Sequence, residues 1–479
     1  MSKPPYVNGQ WAISVQDMDS GEQIVSLNAD KMFEPGSVVK NYSTGAAWQQ
    51  FGPDSTILTP VKRTGEVVDG TLNGDLILVG MGDLTMGGRT KPDGTVDFTN
   101  LDHNDANGIP GATLTTEDPL TGLDQLAAQV KAAGISSVSG DVVIDDRLWE
   151  PHSLSNGPVS PIIINQNVID FISTPTTQGQ PATSELVQPK VAPWVVSGQI
   201  QTVAAGGKTA ITVESADEKT VVLSGTIAAD SGPVVNTYSF KDPATFARTA
   251  FIEALGRAGV TVTTDPVAAN PSAALPDTSA VGGLTSVAEL TSLSFDQEAT
   301  YVLKISYNLG GEAFLCRLAV AAGSTDCGDG LKKAAEIWTA AGLDTTGASL
   351  IDGSGLAGNL ITADNQVQLS KIMAARPDAA RWKAALPILG VDGSLTTVQA
   401  DGPAKGKVSA KTGTLAAWDA FNERYRLPTK ALGGYIDTKS GRHFAFTIMA
   451  TNSVFADVEG IFAANDDVGK VVASIQQSY

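Results

Sequence analysis

The chain has 479 residues, a formal net charge of −19 and only 17% charged side chains. That acidic balance excludes a nucleic-acid backbone as partner, because neutralising phosphates needs clustered Lys and Arg. With 42% hydrophobic residues in clear periodic patterns the chain is neither disordered nor fibrous, and its length predicts more than one domain.

The run "WAISVQDMDSGEQIVSLNAD", from Trp11, predicts a β-hairpin: two alternating segments flank a polar Asp-Ser-Gly-Glu turn. The preceding "MSKPPYVNGQ" has no apolar stretch of the signal-peptide kind, and no apolar run anywhere is long enough to predict a transmembrane segment. Next comes "FEPGSVVKNYSTGAAW", from Phe33, which predicts a largely apolar helix beginning at about Ser37. "GDLILVGMGDLTM" reads as an apolar strand between glycines. "GLDQLAAQVKAAGISSVSGDVVIDD" reads as a helix, a stop at Gly134 and a strand, with Leu123, Leu126, Ala127 and Val130 at helical spacing. The same helix–glycine–strand phrase returns with stops at Gly259 and Gly342.

Between about Glu150 and Thr237, segments such as "VVSGQIQTV" and "TVVLSGTI" alternate with Gly and polar turns and predict a small all-β domain. "AANPSAALPDTSAVGG" reads as a linker. The strands "GGYIDT" and "HFAFTIMAT" and a final helix after Val454 close the chain. Sheet strands at both ends predict one domain built from both termini with the middle inserted. The expected division is 1–62 with 278–479, then 63–149 with 238–277 as an α/β domain, then 150–237 as the β domain.

Cys316 and Cys327 are the two cysteines. They read either as buried thiols or as one disulfide closing a short loop. Three scattered histidines in no metal-binding pattern predict neither a metal nor a cofactor.

Ser37 and Lys40 stand at i and i+3, on one side of a helix near its amino end. A serine needs a base to act as a nucleophile, and burial disfavours a lysine's charge, so an apolar helix suits Lys40 to activate Ser37. A lone S-x-x-K is weak, because one arises by chance roughly once in a chain this long. "KTG" at Lys411-Thr412-Gly413, in the strand-like "GKVSAKTGTLAAW", adds a cation, a hydroxyl and a glycine that lets backbone approach closely. "SYN" at Ser306-Tyr307-Asn308 supplies a third element between the other two.

In that order the three are the motif set of penicillin-binding proteins and serine β-lactamases. With "EPGSVVK", "SGDVVIDD", "SYNLGGEAF", "IDGSGLA", "LPILGVDGSL" and "SAKTGTL", the chain resembles the D-Ala-D-Ala carboxypeptidase/endopeptidase family, the class C low-molecular-mass penicillin-binding proteins (peptidase family S13). The resemblance runs from about residue 11 to the carboxyl end and is weakest between 150 and 237. It departs from the family at Tyr307, commonly Asp, at Gly36, usually Ala, and at Thr85, often Pro. Tyr307 is expected to alter what fits beside Asn308.

The resemblance implies an α/β (α+β) penicillin-binding fold with two inserted domains. It implies Ser37 as nucleophile and Lys40 as base, Ser306 and Asn308 beside them, and Lys411 supporting the electrostatics. Thr412 and Thr414 would hold a terminal carboxylate, with Gly413 between them. The N–H groups of Ser37 and Thr414 would form an oxyanion hole, and Ser354 and Trp149 would line the side-chain pocket. The implied substrate is a peptidoglycan stem peptide or another small acyl donor. β-Lactams are the implied acylating mimics, and the implied location is exported. The same apparatus also serves esterases, amidases and β-lactamases, and the fold alone could serve a silent cell-wall-binding protein.

Overall fold

The strand β1 (Gln10–Asp17) is buried along almost its whole length rather than on alternate residues, because it lies inside a sheet that is covered on both faces. The computed structural model describes residues 3–108, 111–154, 157–215, 217 and 219–479. These group into two compact units, Met1–Ser55 with Phe295–Tyr479, and Thr56–Ser294.

In the first unit β1 turns at Asp17, whose Oδ1 accepts from the Asp19 and Ser20 amides, into β2 (Gln23–Leu27). The nucleophile candidate follows on a 3-10 turn, Gly36–Val39, and the α-helix α1 (Lys40–Phe51) starts only at Lys40. The expected helical start at about Ser37 is met by this 3-10 turn, and the α-helix proper begins at Lys40. A 3-10 turn has three residues per turn, so positions i and i+3 eclipse, and the S-x-x-K spacing stacks Ser37 directly over Lys40.

The chain re-enters this unit with α2 (Phe295–Lys304), α3 (Asn308–Ala321), α4 (Asp329–Ala340) and α5 (Ala363–Ala374). A disulfide joins Cys316 of α3 to Cys327 before α4. The Arg317 guanidinium pairs with Glu298 at 2.7 Å, both buried, and lies over the Phe51 ring, fastening α3 to α2 and α1. The long strands β3 (Val408–Asp419), β4 (Arg424–Asp437) and β5 (His443–Phe455) and the closing helix α6 (Val458–Ser478) complete it.

The sheet order is β2-β1-β5-β4-β3, antiparallel throughout, so strands from both chain ends pair as Ile13↔Ile448 and Val15↔Phe446. One face packs Ile13, Leu432 and Ile448 against Val468 and Val472 of α6. On the other face the Tyr435 hydroxyl donates to the Ser370 carbonyl of α5 at 2.7 Å. β3 is the edge strand, and it carries the KTG motif.

The second unit has a four-stranded sheet, Thr285–Thr291, Leu58–Arg63, Leu76–Val79 and Val142–Asp145, in that spatial order. Its helices Thr121–Ala132 and Pro243–Arg257 bury Leu123, Leu126, Phe251 and Leu255 in one core. The predicted stops hold: Gly134, Gly259 and, in the first unit, Gly342 all have φ near +80° to +90°, where glycine is favoured. The β-rich part forms two three-stranded sheets, one of which pairs Val195–Val203 in parallel with Thr220–Ala228. Its Ile200, Val221 and Leu223 join the same core. The expected linker holds a 3-10 turn, Ser272–Ala274, and a short helix, Thr278–Gly283.

Candidate active site

Lys40 is fully buried, and its Nζ lies 2.9 Å from Ser37 Oγ, 2.6 Å from Asn308 Oδ1 and 2.6 Å from the Ser354 carbonyl oxygen. An ammonium has three N–H bonds, and these three acceptors satisfy all of them. A neutral amine keeps two donors for Asn308 and Ser354 and turns its lone pair to the Ser37 hydroxyl. The cage thus suits both protonation states a proton-transferring lysine must adopt.

Asn308 is the first residue of α3, and Ser306 before it has φ +63°. That left-handed conformation is uncommon outside glycine and marks a held position. Fully buried Lys411 on β3 reaches Ser306 Oγ and the Thr412 carbonyl, each at 2.9 Å. Ser37, Ser306, Asn308 and Thr414 are half-buried, so their polar groups face an accessible space while both lysines lie beneath it. Tyr307 does not enter this space. Its ring is buried and packs against Tyr301 at 5.2 Å between centroids, so the expected effect of Tyr307 on the neighbourhood of Asn308 is corrected.

Close backbone approach assembles the parts. A Cβ on Gly413 would lie 2.0 Å from the Pro35 carbonyl oxygen, one on Gly36 2.8 Å from the Thr414 nitrogen, and one on Gly355 2.0 Å from the Gly36 oxygen. Gly36, at φ +54°, is therefore glycine because β3 runs directly against it. The contact brings the Ser37 and Thr414 segments side by side. Gly413→Ala is expected to push the Ser37 turn off β3 and to lower stability by about 1–3 kcal/mol. An unchanged melting temperature would refute that reading of the contact.

Ser354 enters through its main chain. Its side chain is buried, with Oγ directed to Asp352, while its carbonyl faces Lys40. The loop is braced around it. Asp352 accepts from the amides of Ser354, Gly355 and Leu356, and Glu312 of α3 accepts from the Gly353 amide at 2.6 Å. Thr412 Oγ1 shares a hydrogen bond with Ser394 Oγ at 2.8 Å, and the Ser394 turn is pinned where Lys304 meets Asp392. Trp149 belongs to the second unit, where it is buried and its indole N–H donates to the Val159 carbonyl. Among the described residues no group of three or more His, Cys, Asp or Glu side chains is placed to hold a metal ion, and no helix is long and apolar enough to cross a membrane.

Two groups escaped the sequence reading. Ser394 sits in the noted "VDGSL" phrase but carries no signal of its own. Lys430 lies opposite Thr414 in the β3–β4 register and donates to its Oγ1 at 2.6 Å. Its signal was a lone lysine in the middle of a strand, beside the apolar run "ALGGYI".

A family profile described as D-Ala-D-Ala carboxypeptidase 3 (S13) matches residues 1–466. The chain belongs to that family. By family it is a D-alanyl-D-alanine carboxypeptidase, a serine hydrolase. It is 29% identical over 471 residues to the D-alanyl-D-alanine carboxypeptidase of Actinomadura sp. (strain R39), covering 91% of this chain and 77% of that one. It is 23% identical to the penicillin-sensitive carboxypeptidase A of Dictyostelium discoideum, covering 93% and 83%. The fold is that of penicillin binding protein 4 (dacB) from Haemophilus influenzae, with a TM-score of 0.74 over 98% of both chains at 18% identity. The same Haemophilus protein complexed with a β-lactam matches at a TM-score of 0.68, with 19% identity over 95% of this chain and 93% of that one. The expected family and the mixed α/β penicillin-binding fold are thereby borne out.

Proposed function

We infer that this S13 member removes the terminal D-Ala of peptidoglycan stem peptides through an ester on Ser37. D-Ala–meso-diaminopimelate cross-links are its second substrate, and it works outside the cytoplasm, where that polymer lies. The observation that carries the reading is the meeting of three separated motifs around one hydroxyl: Lys40 on Ser37 and Asn308, and Lys411 on Ser306.

Ser37 Oγ attacks the carbonyl carbon of the penultimate D-Ala while Lys40 takes its proton. The oxyanion sits between the amides of Ser37 and Thr414, where each preorganised donor contributes roughly 3–4 kcal/mol. The C–N bond breaks as a proton reaches the departing amine through Ser306, which Lys411 orients. Water then attacks the ester, its proton returns by way of Lys40, and Ser37 is regenerated. Thr412 and Thr414 hold the terminal carboxylate, Asn308 binds the substrate amide, and Ser354 fixes Lys40 through its carbonyl. A β-lactam presents the same acyl group and carboxylate and acylates the same oxygen.

The test pairs intact mass after excess benzylpenicillin with an assay of D-Ala released from a peptide ending in D-Ala-D-Ala. One penicillin per chain together with D-Ala release is expected. An adduct without D-Ala release points to an esterase or amidase, and hydrolysis of penicillin without an adduct to a β-lactamase. A chain that neither acylates nor turns over is a silent wall-binding protein, and the reading fails.

A further inference from the structure

Seven Lys and Arg side chains are buried among the described residues: Lys40, Arg89, Arg248, Lys304, Arg317, Lys411 and Lys430. Arg89, Arg248, Lys304 and Arg317 each pair with a carboxylate, of Asp102, Asp141, Asp392 and Glu298. Lys40 and Lys411 form the active site. Lys430 is the remaining one. Its polar contact is the Thr414 hydroxyl, and among the described residues no carboxylate pairs with it. A buried ammonium without an anion is costly, so the group either sheds its proton or meets an anion from outside the folded chain.

We propose that Lys430 is a positioning residue for the carboxylate end of the acyl donor: by donating to Thr414 Oγ1 it leaves the threonine proton free for the carboxylate and places a positive charge behind it. This rests on the carboxypeptidase reading above, which gives Thr414 a carboxylate to hold.

The charged groups on neighbouring elements are engaged elsewhere or exposed. On α5, Asp364 accepts from Ser14 and Lys371 donates to Gln16, and Glu459 of α6 is exposed. On β3, Lys411 reaches Ser306, and Asp419 pairs with Arg424 of β4. Arg426 of β4 donates to Asn452 of β5. At the far end of β4 and β5, Asp437 pairs with His443 and Lys383. On α6, Asp466 meets Lys470 and Gln399, and Asp467 meets Lys3. Burial alone therefore acts on the Lys430 ammonium and brings its pKa down to about 7. Below that pH Lys430 is charged, and above it the charge behind Thr414 is lost, so the affinity for a carboxylate-bearing donor falls as pH rises through neutrality.

The experiment compares two donors that share one acyl group: the thioglycolate thiolester of N-benzoyl-D-alanine, which ends in a carboxylate, and the methyl ester of that thioglycolate. The readout is the ratio of their kcat/KM values between pH 6 and 9, in which titrations common to both donors cancel. In wild type the preference for the carboxylate donor is expected to fall about 10- to 100-fold across that range, the span of one charge-assisted hydrogen bond, mainly through KM. Lys430→Arg is expected to keep the preference high throughout, and Lys430→Met to hold it low throughout. A Lys430→Met ratio equal to wild type at pH 6, or equal losses on both donors, overturns the proposal, the second because it marks a merely structural lysine. A wild-type chain that turns over neither donor overturns the carboxypeptidase reading instead, and the proposal falls with it.

Discussion

Ser37→Ala is expected to abolish the penicillin adduct and to lower D-Ala release by about 10⁴-fold or more. An alanine leaves no oxygen to carry the acyl group, and what remains is binding and the oxyanion donors. The fold should survive, because the Ser37 turn is held by glycine contacts to β3 and to the Ser354 loop rather than by the serine hydroxyl. Mass spectrometry of the treated variant checks the first part, and a melting curve superimposable on wild type checks the second. An adduct of full mass in Ser37→Ala would place the nucleophile elsewhere and end the mechanism given above.

The second large effect belongs to Lys40. Lys40→Met keeps an apolar stem of similar length at this buried position and removes the nitrogen. Acylation by benzylpenicillin is expected to slow by about 10²–10⁴-fold, the usual contribution of a positioned base. Two acceptors, Asn308 Oδ1 and the Ser354 carbonyl, lose a donor, at about 1–3 kcal/mol each. The buried amine and its own desolvation cost disappear at the same time, so the melting temperature should move little. The double variant should be no slower than Ser37→Ala alone, because groups acting as one unit do not add. Stopped-flow acylation of Lys40→Met, and the residual D-Ala release of both single variants and the double variant, decide this. A Lys40→Met rate within threefold of wild type would mean that another group takes the serine proton.

The site was legible where its chemistry is written in side chains at fixed spacing. S-x-x-K, S-x-N and K-T-G are short local patterns, and their order along the chain carried the family resemblance and the fold. What escaped was written in the backbone or in pairing. The Ser354 carbonyl reaches Lys40 because Asp352 and Glu312 brace a loop that only the folded chain closes. Lys430 meets Thr414 through strand register, which no linear spacing displays. The 3-10 character of the turn before α1 is not legible, because a 3-10 turn and an α-helix both bring positions i and i+3 together at Ser37 and Lys40. Tyr307 packs against Tyr301 rather than beside Asn308 because successive side chains at a helix start point apart. Cys316 and Cys327 left two readings open, since spacing alone does not report their geometry.

The pairing of β1 with β5 also governs how the protein is made. Ile13 finds Ile448 only after roughly 430 further residues have been synthesised, which at about 5–20 residues per second takes roughly 20–90 s. Through that interval one edge of the amino-terminal hairpin has no partner, and Ser37 and Lys40 lack Lys411. On the mechanism proposed above, the chain is therefore expected to stay inert toward acyl donors until its last strands have paired and closed the sheet.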